Sequence, residues 1–239
     1  MQKQKFKVVV EEKKTPPKKE RAKEIIGKRP KEKFLTTAQE IYWDILGNNQ
    51  ITLCSGPAGT GKSHIAMKRA VDLLWDEDNK YDKIIIVRPA VEAESTLGSL
   101  PGSLAEKIDP YIYPSYYLLS KIISKDSMEA LKMEGYIETL ALSFLRGWNV
   151  DNAILVLEEA QNMSPLQMKL LLTRIGFNSK FFISGDIEQS DKFKDKTKSG
   201  LYDAKERLKD ITDIGLFEFS MNDIVRNPII TQILERYST

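Results

Sequence analysis

Short apolar runs recur along the chain, and each one stops at a cluster of polar residues. Ile51-Thr52-Leu53-Cys54, Ile84-Ile85-Ile86-Val87, Ala153-Ile154-Leu155-Val156-Leu157 and Lys180-Phe181-Phe182-Ile183-Ser184 are such runs. Most are rich in β-branched residues and lack alternation, so they read as strands buried on both faces. Two further strands are expected near residues 137–142 and 214–219. Between the strands the period changes. Ile41, Tyr42, Ile45 and Leu46 fall at helical spacing, as do Leu118, Leu119, Ile122 and Ile123, and Leu166, Leu170, Leu171 and Ile175. Helices are also expected over 64–71, 200–210 and 227–237. Residues 91–114 contain Gly98, Pro101, Gly102, Pro110 and Pro114 and are expected to be mostly irregular. Strands alternating with helices predict an α/β fold with a mostly parallel sheet flanked by helices.

Punctuation supports these elements. Thr36 and Thr37 are N-cap candidates, and Gly47-Asn48-Asn49 stops the helix they open. Ser164-Pro165-Leu166-Gln167 combines an N-cap serine, a proline at the first helical position and a glutamine that completes a capping box. Charge changes the picture at one end. Residues 1–33 hold 13 Lys/Arg and 5 Asp/Glu, giving +8, so a total of +2 leaves −6 on the rest. That composition predicts a basic, solvated, disordered tail over 1–33, ahead of one domain over 34–239. The tail is also suited to contact the phosphate backbone of a nucleic acid, a compatible role. A single cysteine, Cys54, points to a reducing compartment, and one cysteine with one histidine argues against a His/Cys metal site. With no apolar leader and no long apolar run, a cytoplasmic protein with no membrane partner is expected.

The chemistry concentrates where the first strand ends. From Gly56 the chain reads Gly56-Pro57-Ala58-Gly59-Thr60-Gly61-Lys62-Ser63, followed by His64 at the start of a helix. The spacing is that of a phosphate-binding loop. Its glycines let the backbone curl closely around an anion, and successive N–H groups, Lys62 and the helix N-terminus face the phosphates. The Ser63 hydroxyl stands where it can ligate Mg²⁺. Two carboxylates, Glu158 and Glu159, end the fourth of the six expected strands. One is suited to the Mg²⁺ shell and the next to polarising a water. Adjacent residues on a strand point to opposite sides, so both share a site only where the strand gives way to a loop. Gly185-Asp186-Ile187-Glu188-Gln189 follows the next strand, and Asp186 or Gln189 suits a γ-phosphate sensor. Gln39, upstream of the loop, fits either the edge of an adenine base or a capping box with Thr36.

The phosphate loop resembles that of the PhoH family. So do Arg88-Pro89-Ala90-Val91-Glu92-Ala93, Leu97-Gly98-Ser99-Leu100-Pro101-Gly102, Glu159-Ala160-Gln161-Asn162, Leu172-Thr173-Arg174-Ile175-Gly176, Ser184-Gly185-Asp186-Ile187-Glu188-Gln189 and Asn222-Asp223-Ile224-Val225-Arg226-Asn227-Pro228. The resemblance implies a RecA-like P-loop NTPase core, similar to a superfamily 1 helicase domain, with ATP and Mg²⁺ as ligands. It also implies a role in handling RNA or single-stranded nucleic acid, and it favours Gln39 as an adenine reader. The short length is similar to that of phage-type members. An arginine is needed against transition-state charge. Arg88, Arg146, Arg174 and Arg226 are candidates, and Arg174 and Arg226 are favoured. With room for one RecA-like domain, the second wall of the site is expected from another subunit, in a homo-oligomer with a ring of about six by analogy. One departure stands out: Glu158 replaces the family's usual aspartate and reaches roughly 1.5 Å farther, one C–C bond. Misplacement by 1 Å can cost about 10²-fold in rate. The leading expectation is an ATPase that hydrolyses ATP with Mg²⁺, slowed where the extra methylene of Glu158 misplaces its carboxylate; an ATP-dependent binding module with little or no turnover is the alternative.

Overall fold

In the computed structural model, described residues are 18–31, 33–76, 78, 80–89, 104–226, 229, 232 and 236. Among these residues six strands, β1 (Ile51–Ser55), β2 (Lys83–Arg88), β3 (Ile137–Ala141), β4 (Ala153–Leu157), β5 (Lys180–Gly185) and β6 (Ile214–Glu218), form one sheet in the order β3-β2-β4-β5-β1-β6. Every pairing is parallel. The α/β reading of the sequence is therefore correct. The central strands β1 and β4 are buried along their whole length, which is why their sequences show no alternation. Strand β5 lies between β1 and β4, so the phosphate loop and the acidic pair emerge two strands apart at the same edge.

Helices cover both faces. One face carries α1 (Lys18–Ile26), α2 (Thr37–Asn48), α3 (Lys62–Trp75), α4 (Leu104–Ile122) and α5 (Lys125–Met133), packed on Cys54, Ile84, Ile86, Ile154, Val156 and Phe182. The other carries α6 (Pro165–Leu172) and α7 (Gly200–Leu208), packed on Leu53, Ile85, Leu155, Phe181 and Ile183. The predicted capping box at Ser164 and Gln167 is present, and Thr36 caps α2. Cys54 is a buried core residue, and burial pushes its thiol up to about 12. No described helix is long and apolar enough to cross a membrane.

Two expectations need correction. Part of the expected tail is a packed helix: within α1, Ala22 and Ile26 are buried against the core. Behind it, Arg29 donates to the buried Asp72 carboxylate at 2.6 Å. A few apolar side chains and one buried anion outweigh the lysine-rich composition. Residues 1–17 lie outside the described residues. Likewise 104–114, expected to be irregular, belongs to α4. Ile112, Ser115 and Leu119 form its buried side, with Ile123 buried just past its end, and that tertiary burial overrides two prolines. Pro114 sits on the exposed side, where water can satisfy the carbonyl that loses its partner. Residues 90–103 and most of the expected C-terminal helix fall outside the described residues.

Candidate functional site

The loop between β1 and α3 is held mainly by its own backbone. Gly59 and Gly61 adopt φ of 92° and 93°, a region that side chains disfavour. The space is also taken: a Cβ on Gly59 would meet Arg226 Cδ at 2.8 Å, and one on Gly61 would meet Gln39 Nε2 at 2.8 Å. Lys62 Nζ donates to the carbonyls of Gly56 and Pro57 at 2.6 and 2.7 Å. Burial lowers the Lys62 pKa, with Cys54, Asp186 and Glu159 opposing that shift. Thr60 Oγ1 donates to the Pro57 carbonyl at 3.1 Å. Asp186, at the end of β5, accepts from Ala58 N at 3.1 Å, and burial raises its pKa. Burial also lowers the His64 pKa, with Lys68 adding to the shift.

Gln39 is buried at the start of α2. Its Oε1 accepts from Leu35 N at 2.9 Å and its Nε2 donates to the Thr60 carbonyl at 3.0 Å. Its backbone N–H donates to the Thr36 hydroxyl at 3.2 Å. The side chain thus ties α2 to the loop, with its amide engaged inside the chain.

The acidic turn is held by side chains from distant segments. Strand register sets Val87 against Leu157, so Arg88 and Glu158 leave the sheet side by side. Glu158 is buried. Ser115 Oγ, from α4, donates to Glu158 Oε2, and Arg88 Nε lies 3.4 Å from the same oxygen. At Glu159 the backbone turns left-handed, with φ of 57°. That turn swings the second carboxylate toward the phosphate loop, as sharing a site requires of adjacent residues. The Glu159 side chain is half exposed, accepts from Gln161 Nε2 at 2.7 Å and lies 4.0 Å from Arg88 Nη2. Gln161 also accepts from Asp186 N at 3.0 Å, which joins the ends of β4 and β5.

Loop and turn face one cavity of about 750 Å³. Ala58, Gly59, Gly61, Lys62, Ser63, His64, Glu159, Gln189 and Arg226 line it, so most of the sequence-derived candidates converge. Gly56 and Pro57 face a second cavity behind the loop, and Thr60 is buried beneath it. Four arginines were candidates, and they separate. Arg226 packs over Gly59, helped by a Val225 N to Gly59 O bond of 3.0 Å. Arg88 sits on the acidic pair. Arg174 follows α6 and is not among the lining residues; its Nε is buried with no hydrogen-bond partner among the described residues. Arg146 is exposed and also outside the lining. Glu158 makes no hydrogen bond to Ser63 and turns instead toward Ser115. Sequence reasoning missed Ser115, and it named Gln161 only within the Glu159-Ala160-Gln161-Asn162 motif. The Ser115 contact spans 43 positions of chain and carries no local signal.

A family model described as PhoH-like protein matches residues 32–238. The PhoH-like protein of Bacillus subtilis is 45% identical over 202 residues, covering 84% of this chain and 62% of that protein. The PhoH-like protein of Mycobacterium leprae is 41% identical over 210 residues, covering 88% and 58%. Protein PhoH of Escherichia coli is 36% identical over 203 residues, covering 84% and 56%. The chain thus spans about 60% of the length of these relatives.

Proposed function

The chain belongs to the PhoH family, of P-loop ATPase type, and from that premise we propose that it hydrolyses ATP with Mg²⁺ in step with binding RNA or single-stranded nucleic acid. The observation that carries the reading is the convergence of Lys62, Ser63, Glu159 and Gln189 on one cavity. In this mechanism Lys62 exchanges its loop carbonyls for the β- and γ-phosphates, and the loop N–H groups and Arg226 share that charge. Glu159 orients the attacking water, with Gln161 fixing its carboxylate. Gln189 reports the γ-phosphate.

The donors fit Mg²⁺. The Ser63 hydroxyl and the neighbouring carboxylates are hard oxygen ligands, and no cluster of three or more His, Cys, Asp or Glu occurs among the described residues. A small set suits a cation that shares its shell with phosphates and water. When bound, the ion neutralises phosphate charge. For Glu158 to join its shell, the carboxylate must leave Ser115. Gln39 steadies the loop in this reading, and contact with adenine falls to the one N–H and one lone pair of its amide that the bonds to Leu35 and Thr60 leave over. Arg174, outside this cavity, is left for a neighbouring subunit of a homo-oligomer, plausible as a hexamer by analogy. A cytoplasmic setting follows from the same reading.

The test is phosphate release from ATP with Mg²⁺, with and without single-stranded RNA, in the parent, Lys62→Ala and Glu158→Asp. RNA-stimulated turnover that Lys62→Ala abolishes is expected. The turned-away Glu158 favours a second reading, an ATP-dependent binding module. No turnover in the parent, with a gain in Glu158→Asp, would establish that reading.

A further inference from the structure

Helix α4 has two working sides. Its inner side reaches the site: Ser115 donates to the buried Glu158 carboxylate, and Leu118 lines the cavity. Its outer side presents Tyr113, 67% exposed, and Tyr117, 55% exposed. These tyrosines are four residues apart, so they are neighbours on one helix face, about 5–6 Å between Cβ atoms. Lys121 continues the same line, its Nζ 5.0 Å from the centroid of the Tyr117 ring.

We infer that this outer face of α4 is a stacking platform for single-stranded nucleic acid. The inference rests on the nucleic-acid coupling proposed above and names the surface that carries it. Chemistry selects the occupant. An exposed pair of aromatic rings offers π-faces to unpaired bases, and base–aromatic stacking tolerates any sequence. A lysine at the end of the ring pair supplies the cation for the adjoining phosphate. Duplex bases already stack on each other, so a paired strand gains nothing from the rings. The position explains coupling as well. Ser115 lies two residues from each ring and Leu118 directly follows Tyr117, on the opposite side of the same helix, so a strand seated on α4 biases the helix that holds Glu158.

The test is fluorescence anisotropy of a labelled oligouridine, and of a labelled oligothymidine, titrated with the full chain over a range of salt. Changing Tyr113 and Tyr117 together to alanine is expected to weaken binding at least about tenfold. Changing both to phenylalanine keeps the ring faces and should keep the affinity. Lys121→Gln is expected to lower the salt slope by about one phosphate contact. ATP turnover without RNA should match the parent in all three variants. Parent-level binding by the folded double-alanine variant would overturn the inference and leave the proposed function standing. No binding of either strand by the parent would instead sink the nucleic-acid part of that function, and this inference with it. Parent-level binding with a smaller sedimenting species in the double-alanine variant would make the face a subunit contact and also overturn the inference.

Discussion

The phosphate loop and the acidic turn after β4 face the same cavity, yet they are built in different ways. The loop is largely self-contained. Its glycines, its own carbonyls around Lys62 and the Thr60 hydroxyl shape it within eight residues, and single bonds from Gln39, Asp186 and Val225 only brace it from outside. The turn depends on the rest of the fold. Glu158 needs Ser115 from α4 and Arg88 from β2, and Glu159 needs Gln161 and a left-handed backbone. A locally built element carries its signature in its sequence. An element assembled from distant segments carries its function in positions that no spacing rule marks.

Substitutions at the centre of each region should separate them most. Glu159→Gln keeps the shape of the turn and removes the negative charge. A loss of about 10²–10⁴-fold in turnover is expected for a lost general base, with nucleotide affinity retained. Equilibrium binding of a fluorescent ATP analogue beside phosphate release would check both halves. Lys62→Ala strikes the loop, and about 10²–10³-fold loss is expected from deleting one charge-stabilising donor. Here affinity should fall as well, because Lys62 meets the ground-state phosphates. Retained affinity in Lys62→Ala would show that the loop amides alone hold the nucleotide, and the contrast between the regions would weaken.

The same contrast explains what could be read from the chain. Sheet strands were legible because parallel strands buried on both faces are unbroken apolar runs, as at Ile84–Val87. The loop and the Ser164 capping box were legible because their hydrogen bonds close within a few residues. Helix α1 was not, since it packs on α3 and α5, far along the chain, and Arg29 behind it reaches Asp72. Nor was the start of α4, where Pro110 and Pro114 argue locally against a helix that burial enforces. Gln39 shows the middle case. Local pattern marked it as special, but only the fold reveals that its amide bridges Leu35 to Thr60.

Smaller substitutions probe the anchors. Ser115→Ala removes a buried hydrogen bond to a carboxylate and leaves Glu158 to Arg88. A stability loss of about 1.5–3 kcal/mol is expected for a bond to a charged group, readable as a lower urea midpoint with unchanged slope. No loss would mean that Arg88 alone satisfies Glu158, and the turn would be less dependent on α4 than the geometry indicates. Gln39→Ala deletes two neutral bonds, each worth about 0.5–1.5 kcal/mol. Its distinctive readout is faster amide exchange at Leu35, whose N–H loses its acceptor, with the turn after β4 unaffected.

The last effect comes from the far end of α2, the helix through which Gln39 reaches the loop. Lys180 Nζ, at the start of β5, donates to the carbonyls of Gly47 and Asn49 at 2.8 and 2.5 Å. Burial, with Arg69 adding to it, pulls its pKa down to about 8 from an ordinary 10.5. A lysine with a lowered folded pKa sheds its proton earlier when folded than when unfolded. Between those two values the unfolded chain therefore binds more protons, and stability should climb as pH rises through that window. Below about 8 both states are charged, and the slope from this group vanishes. Urea unfolding of the parent and Lys180→Met across this range isolates the lysine from other groups that titrate nearby. The parent's stability should rise relative to the variant above pH 8. Parallel curves would show that the two carbonyls hold the ammonium charged despite its burial, and that this anchor of α2 is indifferent to pH.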